Sequence, residues 1–165
     1  IKGVNMKKIL LLLLLSSIAK PDYTSFGFGV GTSGDVDTIA IGYQQVDSKF
    51  RFVTAGGRSE VFDVSFGVYS AGLDYAFGNF NEGSLYAGLT YSRVAIGDVA
   101  ESDTLLGVGY GKLSGEGLDY NLEVDSEGDV STGITQWTED GLGIGVGVVF
   151  TEYDEAITLS LQYQF

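Results

Sequence analysis

The chain has 165 residues and a formal net charge of −13, from 22 acidic against 9 basic side chains, which argues against nucleic acid as a partner. Cysteine and histidine are both absent, which excludes disulfides, thiolate metal sites and the imidazole chemistry most used for proton transfer near neutral pH. One proline against 25 glycines, with ten tyrosines and ten phenylalanines, is strand-and-turn chemistry, and the length suits one domain.

Met6 is the only methionine and the expected start, with Ile1 to Asn5 an upstream extension. From there Lys7-Lys8, the apolar run Ile9 to Leu15 and the small residues Ser17 and Ala19 follow the charged, oily, small-residue order of a secretory signal peptide. Cleavage is expected after Ala19, so that residues 1–19 are extension plus leader and 20–165 a single domain. The apolar run falls short of the about 18 to 20 residues a spanning helix needs.

From Phe26 onward, large apolar and small polar residues alternate, and period two places them on opposite faces of strands. Phe26, Phe28 and Val30 oppose Gly27, Gly29 and Gly31, and Ile39, Ile41 and Tyr43 oppose Ala40, Gly42 and Gln44. Leu73, Tyr75 and Phe77 oppose Gly72, Asp74 and Ala76, with a change of phase between Val68 and Ala71 that reads as a bulge or a break into two strands. Leu85, Leu89 and Tyr91 oppose Tyr86, Gly88 and Thr90, and Leu106, Val108 and Tyr110 oppose three glycines. Leu118, Tyr120, Leu122 and Val124 oppose Asp119, Asn121 and Glu123, and Leu142 to Phe150 alternates with glycine. The last run, "ITLSLQYQF", sets Ile157, Leu159, Leu161, Tyr163 and Phe165 against Thr158, Ser160, Gln162 and Gln164.

Polar links rich in Gly, Asp, Asn and Ser separate these runs at hairpin spacing, among them Asp47 to Lys49, Gly97 to Asp103, Asp125 to Gly128 and Thr138 to Gly141. The count is ten strands, near 23–32, 36–46, 49–56, 60–77, 84–95, 103–113, 117–125, 129–138, 142–151 and 155–165, with eight still open. Volume decides which face meets which solvent. The lumen of a barrel this small is filled by its inward side chains, so the large residues belong outside and the small polar ones inside, and the outer solvent is lipid. A β-sandwich burying the same face between two sheets is the alternative. Trp137, Tyr163 and Phe165 fall where one aromatic girdle would lie, and Tyr91 and Tyr153 where the other would.

A signal peptide, glycine-rich strands such as "GLGIGVGVVF" and "SLYAGLTYSRV", and a last strand ending in phenylalanine resemble a small bacterial outer-membrane β-barrel of the OmpA/OmpX-like type. The resemblance implies an all-β, transmembrane, antiparallel up-and-down barrel in a Gram-negative outer membrane. Its partners would be outer-membrane lipid and lipopolysaccharide, and the chain would be a monomer. It also implies that Leu159, Leu161, Tyr163 and Phe165 form the signal read by the barrel-assembly machinery.

The spelling Gly29-Val-Gly31-Thr-Ser-Gly34 matches a dinucleotide loop, but no helix pattern follows it, so the glycines read as strand and turn. Asp125-Ser-Glu-Gly-Asp129 is an acidic stretch without the spacing of a calcium loop, and reads as a solvated turn. Arg51, Asp63, Asp74, Lys112, Asp119 and Glu123 are the expected lumen charges, with Arg93 a further candidate. A charge in a narrow lumen must be paired or wet, so these residues imply either a salt-bridged plug or a cation-preferring pore. No catalytic residue, cofactor or metal is expected. The reading is a non-enzymatic barrel serving envelope integrity or surface interaction, with a narrow channel for small cations or solutes as the alternative.

Overall fold

The computed structural model describes residues 22–47, 49–80, 82–152 and 154–165; the expected leader and Tyr153 lie outside them. Ten strands follow one another: β1 (Tyr23–Ser33), β2 (Val36–Val46), β3 (Phe50–Val61), β4 (Val64–Phe80), β5 (Gly83–Ile96), β6 (Val99–Lys112), β7 (Leu118–Asp125), β8 (Val130–Trp137), β9 (Leu142–Phe150) and β10 (Glu155–Gln164). Each pairs antiparallel with its chain neighbours. β1 pairs with β10, with Phe26 opposite Tyr163 and Val30 opposite Leu159, and the sheet closes into a barrel. Closure leaves no unpaired edge, which is what a sheet needs in hydrocarbon. Ten is the upper of the two expected counts.

The barrel is inside out. Among the described residues only Tyr23, Val46, Tyr86 and Trp137 are buried hydrophobics, while Phe28, Ile41, Leu106, Val108, Ile144 and Leu159 stand on the outer wall with about half or more of their surface open. So continuous an apolar band on a water-facing surface would drive association, so its solvent is lipid. This is the transmembrane barrel that the resemblance implied, and the sandwich alternative falls because its apolar face would be buried.

The wall is uneven. β4 has 17 residues and β5 and β6 have 14 each, whereas β7 and β8 have 8. At about 3.3 Å per residue, β4 runs roughly 55 Å and β7 roughly 26 Å. The excess rises on the side opposite Tyr23 and Phe165, so the β3–β4 and β5–β6 hairpins stand above that rim. The rim holding Tyr23 and Phe165 is called here the terminal rim, and the opposite one the hairpin rim.

Three boundaries differ from the sequence reading. The Gly56-Gly57 pair, read as the end of the third strand, lies inside β3: Gly56 sits under the Tyr69 ring, and a Cβ on Gly57 would meet Ala40 of the neighbouring strand. The turn comes later, at Phe62 and Asp63, both with positive φ (47° and 67°). A two-residue hairpin turn of this kind needs positive φ at both central positions, which Asp63 tolerates and Phe62 does not adopt readily. β6 begins at Val99, not near residue 103. The bulge in β4 lies between Ala76 and Gly78. The phase change near Val68 is instead two apolar residues, Phe66 and Val68, turned inward on an unbroken register.

Candidate functional site

The inward positions of the strands meet in the lumen, and its terminal mouth is capped. The β6–β7 link, residues 113–117, folds under the opening, and Leu113 packs against a buried cluster of Tyr23, Val46 and Trp137. The Tyr23 and Trp137 rings meet edge to face at 5.9 Å between centroids. Gly115 has φ +70° and lies so close to the Tyr23 ring that a Cβ would stand 2.9 Å from it. The Asp119 carboxylate gathers the cap: it accepts from Trp137 Nε1 at 2.8 Å, from the Ser114 amide and hydroxyl at 2.8 Å each, and from the Gly115 amide at 2.9 Å. Four donors satisfy a buried carboxylate that would otherwise be costly to place there.

Above the cap Arg51, from β3, reaches across the bore. Its Nε donates to Asp74 Oδ2 on β4 at 2.5 Å and its Nη2 to Glu123 Oε2 on β7 at 3.3 Å. β3 and β7 are separated by three strands on one side of the ring, so the second bond joins distant walls. The guanidinium also lies 5.0 Å from the centroid of the Tyr86 ring, and Tyr86 donates its hydroxyl to Glu123 Oε2 at 3.4 Å. Glycine makes the room: a Cβ on Gly88 would run into the Asp74 carboxylate, and one on Gly109 would stand 2.5 Å from Tyr86 Cζ. A recess of about 120 Å³ opens from the terminal rim and stops at Arg51, Asp74 and Tyr86. Among the described residues no buried side-chain nitrogen or oxygen lacks a partner.

Along β1, β2 and β10 the lumen changes character. A cavity of about 210 Å³ is lined by Ser25, Gly27, Gly29, Ala40, Gly42 and Gln44, among other small or neutral residues. Among the described residues no charged side chain lines it. At the hairpin rim, on the β7–β8 turn, Asp125 Oδ1 accepts from the Glu127 and Asp129 amides at 2.9 and 3.0 Å. That carboxylate is engaged in shaping the turn, and among the described residues no group of three acidic side chains could hold a metal. A hydrogen bond shared with Asp103 raises the Glu127 carboxyl above its ordinary range, and the charges of Asp103, Asp125 and Asp129 push the same way.

Of the expected lumen charges, Arg51, Asp74, Asp119 and Glu123 lie inside the barrel and form these two networks. Two do not. Asp63 is at the exposed tip of the β3–β4 hairpin, because the turn falls three or more residues later than the glycine pair suggested. Lys112 shares the outward phase of Tyr110 and Val108 and pairs with Glu82 at 3.3 Å on the terminal rim. Arg93 is also outward, in phase with Tyr91. Trp137, placed in an outward girdle by its position near a strand end, is buried in the lumen, where Asp119 takes its N–H. Tyr86 and Ser114 were missed; the one signal for Tyr86 was an aromatic on an otherwise small, polar face. Leu159, Leu161, Tyr163 and Phe165 are exposed on the outer wall.

No protein-family model and no curated protein matches the chain. Among solved structures it is similar to the KdgM porin in complex with disordered oligogalacturonate (10% identity over 86% of this chain and 99% of that one, TM-score 0.49). It is also similar to the N-terminal β-barrel domain of Pseudomonas aeruginosa OprF (11% identity over 88% and 98%, TM-score 0.45). A de novo designed transmembrane β-barrel is alike to the same degree (12% identity over 89% and 98%, TM-score 0.45). These likenesses are of architecture alone.

Proposed function

We propose that the chain is a non-enzymatic β-barrel of a Gram-negative outer membrane, closed to conduction, which sustains the envelope and presents its tall hairpins to the outside. The carrying observation is the tie from Arg51 to Asp74 and Glu123, which crosses the bore above a capped terminal mouth. A buried ion network of this kind holds the walls together and obstructs the bore at the level of Arg51. The terminal rim would face the periplasm, where short links are usual, and the β3–β4 and β5–β6 hairpins the exterior. The apolar tips of those hairpins, Phe62 at 79% and Val99 at 68% exposure, favour surface contact as part of the role. The outward side chains of the last strand, Leu159, Leu161, Tyr163 and Phe165, would be what the assembly machinery reads, and a closed sheet needs no second copy.

A channel reading has one observation on its side: inside the barrel Asp74, Asp119 and Glu123 outnumber Arg51, so any current would be carried by cations. Conductance of the purified protein in planar lipid bilayers tests the choice. The closed-barrel reading expects no steady unitary current; steady cation-selective steps overturn it. Heat-modifiable migration on gels and recovery only with detergent test the membrane barrel itself, and a soluble periplasmic protein would refute it.

A further inference from the structure

Five cationic side chains lie among the described residues: Lys49, Arg51, Arg58, Arg93 and Lys112. Arg51 is in the lumen, Lys49 and Lys112 are at the terminal rim, and the remaining two stand close together on the outer wall near the other edge. Gly56, Tyr69 and Arg93 form one cross-strand row over β3, β4 and β5, and Arg58, Gly67 and Ala95 form the next. Arg58 and Arg93 thus flank Tyr69 two strands and two residues apart, about 12 Å between their backbones. The Tyr69 ring covers the glycines on its own wall, for a Cβ on Gly56 or Gly67 would stand 3.3 or 3.2 Å from it. The result is a flat floor between two long cations.

Their level in the wall is equally specific. Toward the membrane centre the outward residues are Phe52 and Thr54 on β3, Leu73 and Ala71 on β4, and Leu89 and Tyr91 on β5; away from it come Glu60 and Ser65. The arginines mark the border where the apolar band ends, the depth at which a charged side chain costs little and headgroup phosphates begin. A guanidinium offers paired N–H donors that match phosphate oxygens. Arg58 is held by Ser65 Oγ and lies 3.9 Å from Glu60, with its side chain 71% exposed. Arg93 has no hydrogen-bond or ion-pair partner among the described residues. Glu60 pairs in register with Asp37, and both lie beyond Arg58 on the solvent side. A phosphate arriving from the lipid therefore meets the guanidinium before it meets the acids.

We infer that Arg58 and Arg93, with Tyr69 between them, bind a phosphate-bearing headgroup of an outer-leaflet glycolipid on the outer wall. The inference rests on the outer-membrane reading above, and it identifies one partner of that barrel. The test uses full-length mature protein in zwitterionic detergent, titrated with diphosphorylated lipid A, its dephosphorylated form and inorganic phosphate. Heat-modifiable migration is recorded for every variant, so that loss of the barrel is seen separately from loss of the site. Wild type is expected to bind the diphosphorylated lipid at least tenfold more tightly than the dephosphorylated one, and not to bind inorganic phosphate at millimolar concentration. R58Q/R93Q, still folded, is expected to lose that tenfold preference, while R58K/R93K keeps part of it. Equal binding of both lipids by wild type, or an unchanged preference in folded R58Q/R93Q, overturns the site while leaving the barrel intact. Tight binding of inorganic phosphate alone assigns the patch to a soluble anion and overturns the lipid source.

Discussion

The two halves of the lumen solve opposite problems with the same alternation of strands. In the half lined by β3 to β8, inward positions carry Arg51, Asp74, Tyr86, Asp119, Glu123 and Trp137, and these side chains touch across the bore. In the half along β1, β2 and β10 the same phase carries Gly27, Gly29, Ala40 and Gly42, and a cavity of about 210 Å³ remains. The difference shows that a barrel of fixed girth can be shut or left hollow purely by side-chain volume, and that glycine plays two roles. In the filled half Gly88 and Gly109 clear space for the Asp74 and Tyr86 side chains; in the hollow half a Cβ on Gly29 would meet only the Leu159 carbonyl, at 3.4 Å.

The sharpest way to break this contrast is to remove the cation on which the filled half depends. Arg51→Met leaves the Asp74 and Glu123 carboxylates with no positive partner in a largely buried setting, and a loss of about 3–5 kcal/mol is expected. Denaturant unfolding in lipid vesicles measures it, and the same variant should show conductance steps in planar bilayers that wild type lacks. Adding Asp74→Asn and Glu123→Gln to Arg51→Met should recover most of the stability, because the stranded charges are then gone. If Arg51→Met matches wild type in both assays, the network neither braces nor blocks the lumen.

Alanine substitution compares the halves directly. At Gly109 the new methyl would stand 2.5 Å from Tyr86 Cζ and 2.6 Å from the Leu122 carbonyl, and a loss of about 1–3 kcal/mol is expected. At Gly29, in the hollow half, the nearest atom is the Leu159 carbonyl at 3.4 Å, and a change within about 0.5 kcal/mol is expected. Equal effects in unfolding experiments would mean that the two halves are packed alike.

The smallest effect lies at the hairpin rim. The raised Glu127 carboxyl means that the folded chain holds that proton more tightly than the unfolded chain does. Its contribution therefore favours folding more as pH falls from neutral through the raised value, and is lost as pH rises and the carboxylates around it repel. The protection factors of the Gly128 and Asp129 amides, their exchange corrected for its intrinsic pH dependence, should rise on mild acidification, and Glu127→Gln should remove that rise. An unchanged pH response in Glu127→Gln would show that Glu127 does not share a proton at this turn.

Most of the wall was legible because the pattern that specifies it is local. Alternation at period two marks a strand wherever it occurs, and the turn residues near Asp47, Gly97, Asp125 and Thr138 punctuate it. The lapses were at glycine. Gly56-Gly57 spells a turn, yet its glycines are required by Tyr69 on one face and Ala40 on the other, and both neighbours are known only once β2, β3 and β4 are side by side. Phe62-Asp63 lacks the glycine that usually marks a two-residue turn, and the pair forms one because the paired registers of β3 and β4 converge on it. In the candidate site, phase alone sent Asp74, Asp119 and Glu123 inward, but it could not say which cation would meet them. Lys112 and Arg51 looked interchangeable in the sequence and lie on opposite sides of the wall.

The sequence by itself determined an all-β chain with one oily face and one small, polar face, because a strand's side chains alternate whatever surrounds it. Ten closed strands, the bond from β3 to β7 and the cap under the terminal mouth were decided only by the tertiary structure. They depend on register and on closure, which bring together residues as far apart as Arg51 and Glu123 and leave no trace in local spacing.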